Sequence, residues 1–307
     1  MGERIVQKQL YPYDERLERP FLERWRVVLA YLAGRVPLYV LLMFLSFVFL
    51  LPLIWMVSTS LKDDPQVYRV PPIWIPSPMR WRNYPEALTR LPFGLFFLNT
   101  MQYAIPSTIG TLISSILPAY GFSRIRWRER DVLFFICLAT MMIPFQVTMI
   151  PLFVIFKAFG WINTYLPLIV PSFFGSAYFI FMLRQFFLTI PQELSDAARI
   201  DGCSEPGILV RVILPLSKPA LAVVALFQFM WCWNDYFGPL IFLNQVSKFP
   251  VALGLQQLRA TYHSATQRLV WPYLMAASTA VVFPILVLFF FTQRTFIEGI
   301  TVTGIKG

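Results

Sequence analysis

An all-α membrane protein with six transmembrane helices is the fold this sequence predicts, and three observations carry the prediction. Of 307 residues, 57% are hydrophobic and only 14% are charged, whereas a water-soluble domain carries about a quarter charged residues. Five stretches of 25 to 33 residues hold no charge, and a sixth holds a single carboxylate; a membrane helix needs about 20 apolar residues to cross the hydrocarbon. The basic residues crowd into alternate connections, 17 on one side and 9 on the other. This composition excludes a soluble enzyme, a disordered regulator and a nucleic-acid-binding domain. The net charge of +10 fits basic loops facing an anionic inner leaflet.

The elements follow in order. Residues 1–35 hold seven basic and five acidic residues and lack the short apolar core of a cleavable signal peptide, so they read as a cytoplasmic N-terminal tail. Spans are predicted at 36–61, 91–123, 132–156, 158–183, 219–243 and 269–293, giving a transmembrane domain over 36–293, and 294–307 form a C-terminal tail. The charge bias puts both termini inside. Pro106, Pro118, Pro144, Pro151, Pro167, Pro171 and Pro284 fall within or at the ends of spans. They kink helix axes, which suits a protein that changes shape. Cys137, Cys203 and Cys232 are widely spaced and read as small apolar residues rather than as a disulfide framework or metal site. His263 stands alone in the connection 244–272, and no metal site, triad or carboxylate pair is expected.

The connection 184–218, between spans four and five, is the informative one. Thr189 with Gln192 reads as a capping box, Pro191 suits a first turn, and Gly202 is the expected stop. The spacing predicts a helix of about 12 residues, marginal on its own, with Leu194, Ala197 and Ala198 on one face. Ser204 then caps a second short helix that stops before Pro215. A small, flat, alanine-bearing face suits a knob docking in a partner's groove. A helix lying on lipid would instead present bulky Leu, Phe and Trp with a Lys-rich rim.

On these residues the chain resembles a known family. Asp196-Ala197-Ala198, three residues, Gly202, nine residues, Val212, one residue and Leu214-Pro215 match the spacing of the EAA signature. That signature belongs to the membrane subunits of ABC importers served by an external binding protein. The longer string from Pro191 to Pro219 is similar to the carbohydrate, maltose-type (MalG-like) branch. So are Trp233-Asn234-Asp235-Tyr236 with Pro239-Leu240, and the closing run from Gly299 to Gly307. The chain departs from the pattern at Asp196, which replaces a Glu, at Val212, which replaces an Ile, and at Pro206, where a bulky residue is usual.

The resemblance implies a permease subunit of an ATP-driven importer in a prokaryotic inner membrane, moving a sugar by alternating access. Its expected partners are a cytoplasmic ABC ATPase dimer, a second and different permease, and a periplasmic or extracellular sugar-binding protein. The resemblance makes Asp196, Ala197, Ala198, Arg199, Asp201 and Gly202 the ATPase-coupling positions, with Asp196 and Arg199 as polar anchors. The chain has no G-x-x-x-x-G-K-[ST] loop, so it is not expected to be an enzyme. No cofactor is expected in this chain, and ATP and Mg2+ belong to the partner ATPase. Asp235 is an intramembrane carboxylate, and such groups mark a cavity or a paired site. With Trp233, Asn234 and Tyr236 it lines a sugar path or serves as a structural anchor. The connection 244–272 lies where family members meet the binding protein. A polyol or glycerol phosphate ester is the alternative cargo, disfavoured by the near absence of basic residues from the spans. An ion-coupled secondary transporter is a second alternative, and it calls for internal repeats and ionisable relays.

Overall fold

The computed structural model describes residues 21–266 and 271–304. Residues 1–20 of the predicted tail and the last three residues of the closing motif lie outside them, as does the side chain of His263. Every regular element among the described residues is helical. The chain divides into two compact units, one ending at Met56 and one beginning at Val57.

The first unit is built on helix α1 (Phe21–Ser60), which begins inside the predicted tail. From Val36 to Leu50 its side chains are exposed on every side, although nearly all are apolar. A helix that is hydrophobic all round needs an apolar surrounding.

The second unit is assembled around one helix. A single turn, α2 (Asp64–Val67), and helix α3 (Asn83–Arg90) lead into α4 (Phe93–Arg124), 32 residues long with 14 of them buried. Then follow α5 (Arg130–Ala139), α6 (Phe145–Ala158) and α7 (Leu166–Ile169), the last continued by a 3-10 turn over Val170–Phe174. Helices α8 (Ala177–Thr189) and α9 (Gln192–Ile200) come next. A composite segment of α10 (Glu205–Ile208), a π-helical turn (Leu209–Ile213) and α11 (Leu214–Leu216) follows. The chain ends in α12 (Lys218–Asn234), α13 (Phe237–Phe242), α14 (Val251–Thr266) and α15 (Trp271–Gly304), which runs on through most of the predicted C-terminal tail. Helix α4 packs against α8, α12 and the 3-10 turn.

Among the described residues, three helical stretches are long and apolar enough to cross a membrane, Arg35–Ser60, Leu166–Thr189 and Trp271–Gln293. Two further candidates are bent pairs. Arg130–Met142 meets Phe145–Ala158 at 92°, and Glu205–Leu216 meets Lys218–Asn234 at 80°. The predicted span 91–123 is not among these five, and the reason is visible in what α4 does. Its buried stripe is half polar, with Asn99, Thr100, Ser107, Thr111, Ser115 and Ser123 facing in.

Those polar groups answer breaks in the neighbouring helices. Leu168 would offer its carbonyl to the residue three on, but that residue is Pro171, which has no N–H. Ser107 of α4 donates to the Leu168 carbonyl instead, at 3.0 Å. Ser114 donates to Ser172 at 2.8 Å, where Gly175 (φ +91°) takes the chain out of helical geometry. Tyr103 donates to Cys232 at the end of α12. Asn99 donates to both Ser247 and Phe249, and Thr100 accepts the N–H of Val251, so the connection 244–250 is held as well. A broken backbone in a membrane requires such donors.

Gly110 sets the closeness of this packing. A Cβ there would lie 2.6 Å from the ring of Phe173. Gly110→Ala is therefore expected to overpack α4 against the 3-10 turn and cost about 1–3 kcal/mol. A lowered midpoint of thermal unfolding in detergent checks this, and an unchanged midpoint refutes it.

Candidate functional site

The docking helix predicted near 190–202 is α9, nine residues from Gln192 to Ile200. The capping box is not formed. Thr189 is the last residue of α8, and its hydroxyl donates to the Phe186 carbonyl within that helix at 2.7 Å. Pro191 takes the N-cap position. The stop is as read: Gly202 has φ +81°, and the N–H groups of Gly202 and Cys203 donate to Arg199 at 3.0 Å and Ala198 at 2.9 Å. That pair of bonds is a Schellman closure, which needs a left-handed residue.

The face divides differently from the sequence expectation. Ala198 turns inward with Ser195, and Ala198 joins the core cluster containing Phe187, Ile190 and Ile208. A small residue is needed there because α9 lies directly on the ends of its neighbours. The exposed stripe is Leu194, Ala197 and Ile200, with Ile200 87% exposed. Asp196, Asp201 and Gly202 are also exposed. The second loop helix does not stop before Pro215. Leu214 donates to the Leu209 carbonyl, five residues back, and this π-type register carries the chain past Pro215 to Leu216.

Three arginines and two carboxylates fasten this loop. Arg124, the last residue of α4, is 5% exposed. It donates to the carbonyls of Phe187 and Ile190 and, at 2.9 Å, to the side chain of Gln192. The helical partner of the Phe187 carbonyl would be the N–H of residue 191, which is a proline. Arg184 of α8 reciprocates by donating to the Phe122 carbonyl near the end of α4 at 3.1 Å. Arg199 donates to Asp196 and to Glu205, each at 2.7 Å, and Tyr120 of α4 donates to the other oxygen of Glu205. Arg124, Arg126, Gln192, Asp196, Arg199 and Glu205 line a polar recess of about 380 Å³.

The residues offered for the sugar path separate. Trp233 is buried, edge-on to Phe97 at 5.6 Å and tilted against Phe229 at 5.8 Å. Asn234 is exposed and donates back to Met230 in its own helix. Asp235 ends α12 and accepts the N–H of Gly238 at 3.0 Å in the first turn of α13. Tyr236 is half-buried against Phe237. A cleft of about 550 Å³ opens a turn earlier instead. It is lined by Ser176, Tyr178 and Phe179 at the start of α8 and by Phe227, Gln228, Met230 and Trp231 of α12.

Residues 110–301 match the family model described as binding-protein-dependent transport system inner membrane component. The chain belongs to that family. Its permease relatives include the arabinooligosaccharides transport system permease protein AraQ of Halalkalibacterium halodurans, 33% identical over 86% of this chain and 94% of the relative. The sn-glycerol-3-phosphate transport system permease protein UgpE of Yersinia pestis is 33% identical over 80% of this chain and 87% of the relative. Among solved structures, a chain of a bacterial ABC transporter involved in the import of the acidic polysaccharide alginate superposes with a TM-score of 0.72. The two are 25% identical, over 90% of this chain and 99% of that one.

Several residues of this permease escaped the sequence reading. Arg124 carried a signal, since it is the first charge after 33 uncharged residues. Tyr120, Glu205, Gln228 and Trp231 carried none, because their neighbours are remote in sequence. Glu205 also sets a pH window. The hydrogen bond from Arg199, then that from Tyr120, holds its carboxyl below the ordinary 4.5. A depressed pKa contributes stability that is full above the unfolded value and is lost as pH falls through the folded one. Taken relative to the intrinsic rate at each pH, hydrogen exchange of residues 192–205 is expected to stay flat from about pH 8 to about pH 5 and to rise only below about pH 4. A rise between pH 7 and 5 would contradict this.

Proposed function

We propose that this permease is the membrane-spanning subunit of an ATP-driven importer that moves a sugar delivered by an external binding protein. Helix α9 carries the proposal. It presents Leu194, Ala197 and Ile200 to the outside while its opposite face is fastened to the bundle. An apolar stripe on a braced, nine-residue helix suits insertion into a protein groove. The groove belongs to a cytoplasmic ATPase dimer, which binds ATP and Mg2+. Asp196, Asp201 and Gly202 rim the contact. Arg199 and Ala198 act from behind it, through their intramolecular partners. Six spans with both termini cytoplasmic follow if α4 is counted with the five candidates, since its polar stripe faces the bundle. A second permease then covers the exposed apolar flanks, and the connection 244–272 faces the binding protein.

The cargo reading rests on the cleft between α8 and α12. Tyr178 and Trp231 lie 11 residues before the end of α8 and 13 after the start of α12. At 1.5 Å per residue that is roughly 15–20 Å, about half the hydrocarbon thickness. The lining offers aromatic faces, one amide and two hydroxyls, with no charged side chain among its described residues. A pyranose or furanose ring fits such a wall, and a phosphate ester does not find a cation there. The AraQ relative's name points the same way, while UgpE keeps a glycerol phosphate ester as a testable alternative.

Two measurements test this reading. Ala197→Glu is expected to leave the permease folded and inserted, and to reduce recovery of the ATPase in detergent co-purification at least about tenfold, through an unpaired charge in an apolar contact. Undiminished recovery overturns the docking assignment. In the assembled transporter, Trp231→Ala is expected to raise the sugar concentration for half-maximal ATPase stimulation about three- to tenfold, the worth of one aromatic face. An unchanged value removes the cleft from the sugar path, and stimulation by a glycerol phosphate ester alone replaces the sugar.

A further inference from the structure

We propose that the docking helix α9 and the last turns of α4 move as one rigid lever, and that Tyr120, Arg124, Arg184 and Glu205 are the positioning residues that make them so. The inference rests on the docking reading above and says where the motion goes. Two attachments join the two helices, and a third ties α4 to α8, which runs directly into α9. Arg124 of α4 holds both carbonyls of the α8–α9 turn and the first side chain of α9. Arg184 of α8 holds the Phe122 carbonyl of α4. Tyr120 of α4 reaches Glu205, which holds Arg199 of α9. Arg199 is thereby held near the base of α9, and its second bond, to Asp196, ties the middle of the helix to the same chain of contacts.

Geometry makes this a lever rather than a collection of braces. The attachments grip α9 at its start, through Gln192, and at its last turn, through Arg199. A nine-residue helix held at both ends cannot pivot on its turn. Each grip reaches a different turn of α4, at Tyr120 and at Arg124, so α4 cannot rotate about its own axis without dragging α9. Helix α4 in turn donates to the breaks at Leu168, Ser172 and Cys232. Helix α4 also packs against both α8 and α12, so displacement at α9 reaches both walls of the α8–α12 cleft through one helix.

The test uses the permease assembled with its sister subunit and ATPase. Spin labels are placed at Ile200→Cys on α9 and Ile113→Cys on the exposed side of α4, with Cys137, Cys203 and Cys232 replaced by alanine. A labelled complex that still retains the ATPase is the starting point. Failure of the unlabelled permease to retain it defeats the docking reading and not the lever. In the complex, the label-to-label distance is expected to stay constant on adding ATP, and to change or broaden in Glu205→Ala. An ATP-dependent distance with Glu205 intact overturns the lever, as does an invariant distance in Glu205→Ala combined with Arg124→Lys. Sugar imported per ATP hydrolysed is expected to fall about tenfold in Glu205→Ala. Tyr120→Phe should add nothing to that loss, because Glu205→Ala already removes the Tyr120–Glu205 bond. Additive losses refute the shared pathway, and recovery by Glu205→Asp, which restores both hydrogen bonds, supports it.

Discussion

A carbonyl freed by proline or by a turn has no water to bond in a hydrocarbon layer, and each such group left alone costs several kcal/mol. Much of this fold can be derived from that constraint. The chain has 25 prolines, and three backbone breaks, at Pro171, at Pro191 and at the turn after Cys232, are answered from the same helix. Ser107, Tyr103 and Arg124 all sit on the inward stripe of α4. A helix that supplies donors to its neighbours cannot also be uniformly apolar. That is why the most central helix is less apolar than the spans around it, and why it is centrally placed at all.

The same constraint explains the cost of altering the loop end. Arg124 makes charge-assisted bonds, each worth about 1.5–3 kcal/mol when intact. Removing the guanidinium would leave the Phe187 carbonyl beside Pro191 with only the long 3.3 Å bond from the Ile190 N–H. The Nε of Arg124 has no hydrogen-bond partner, so the residue is not optimally satisfied even as it stands. Its positive end faces the C-termini of α4 and α8, where helix dipoles favour a cation. Arg124 tolerates burial because the acceptors around it are carbonyls at a helix end and not apolar side chains.

Long apolar helical stretches were legible in the sequence because charge is costly in a membrane, and five of the six predicted spans overlap a candidate membrane helix or bent pair among the described residues. Helix α9 was legible through Gly202, whose left-handed φ is required by the closure that forms. Which alanine faces out was not. Leu194, Ala197 and Ala198 satisfy helical spacing equally well as an exposed face, and only the packing of Phe187 and Ile208 turns Ala198 inward. Thr189 was misread because a capping box and a helix-ending Thr that bonds back to its own turn have the same local sequence. Asp235 was legible as a costly carboxylate, but its acceptor role toward Gly238 depends on a helix break that spacing alone does not reveal. Tyr120 and Glu205 are 85 residues apart, and no local pattern connects them.

The Arg199 pairs with Asp196 and Glu205 raise a question of magnitude. Their side chains are 34%, 55% and 39% exposed. Ion pairs this wet contribute about 0–1 kcal/mol to stability, so the fold does not require them. An apolar contact at the same place would hold α9 at least as firmly against the bundle, but it would hold it without direction, because apolar packing resists separation far more than it resists sliding. Hydrogen bonds from a guanidinium fork fix angle as well as distance. Only a directional joint lets a push on α9 arrive at Tyr120 with its orientation preserved. Where stability is already supplied by the Arg124 grip and the core beneath Ala198, the remaining role for a half-exposed charged chain is to prevent rotation, and that is what the proposed docking of α9 against a moving partner would need.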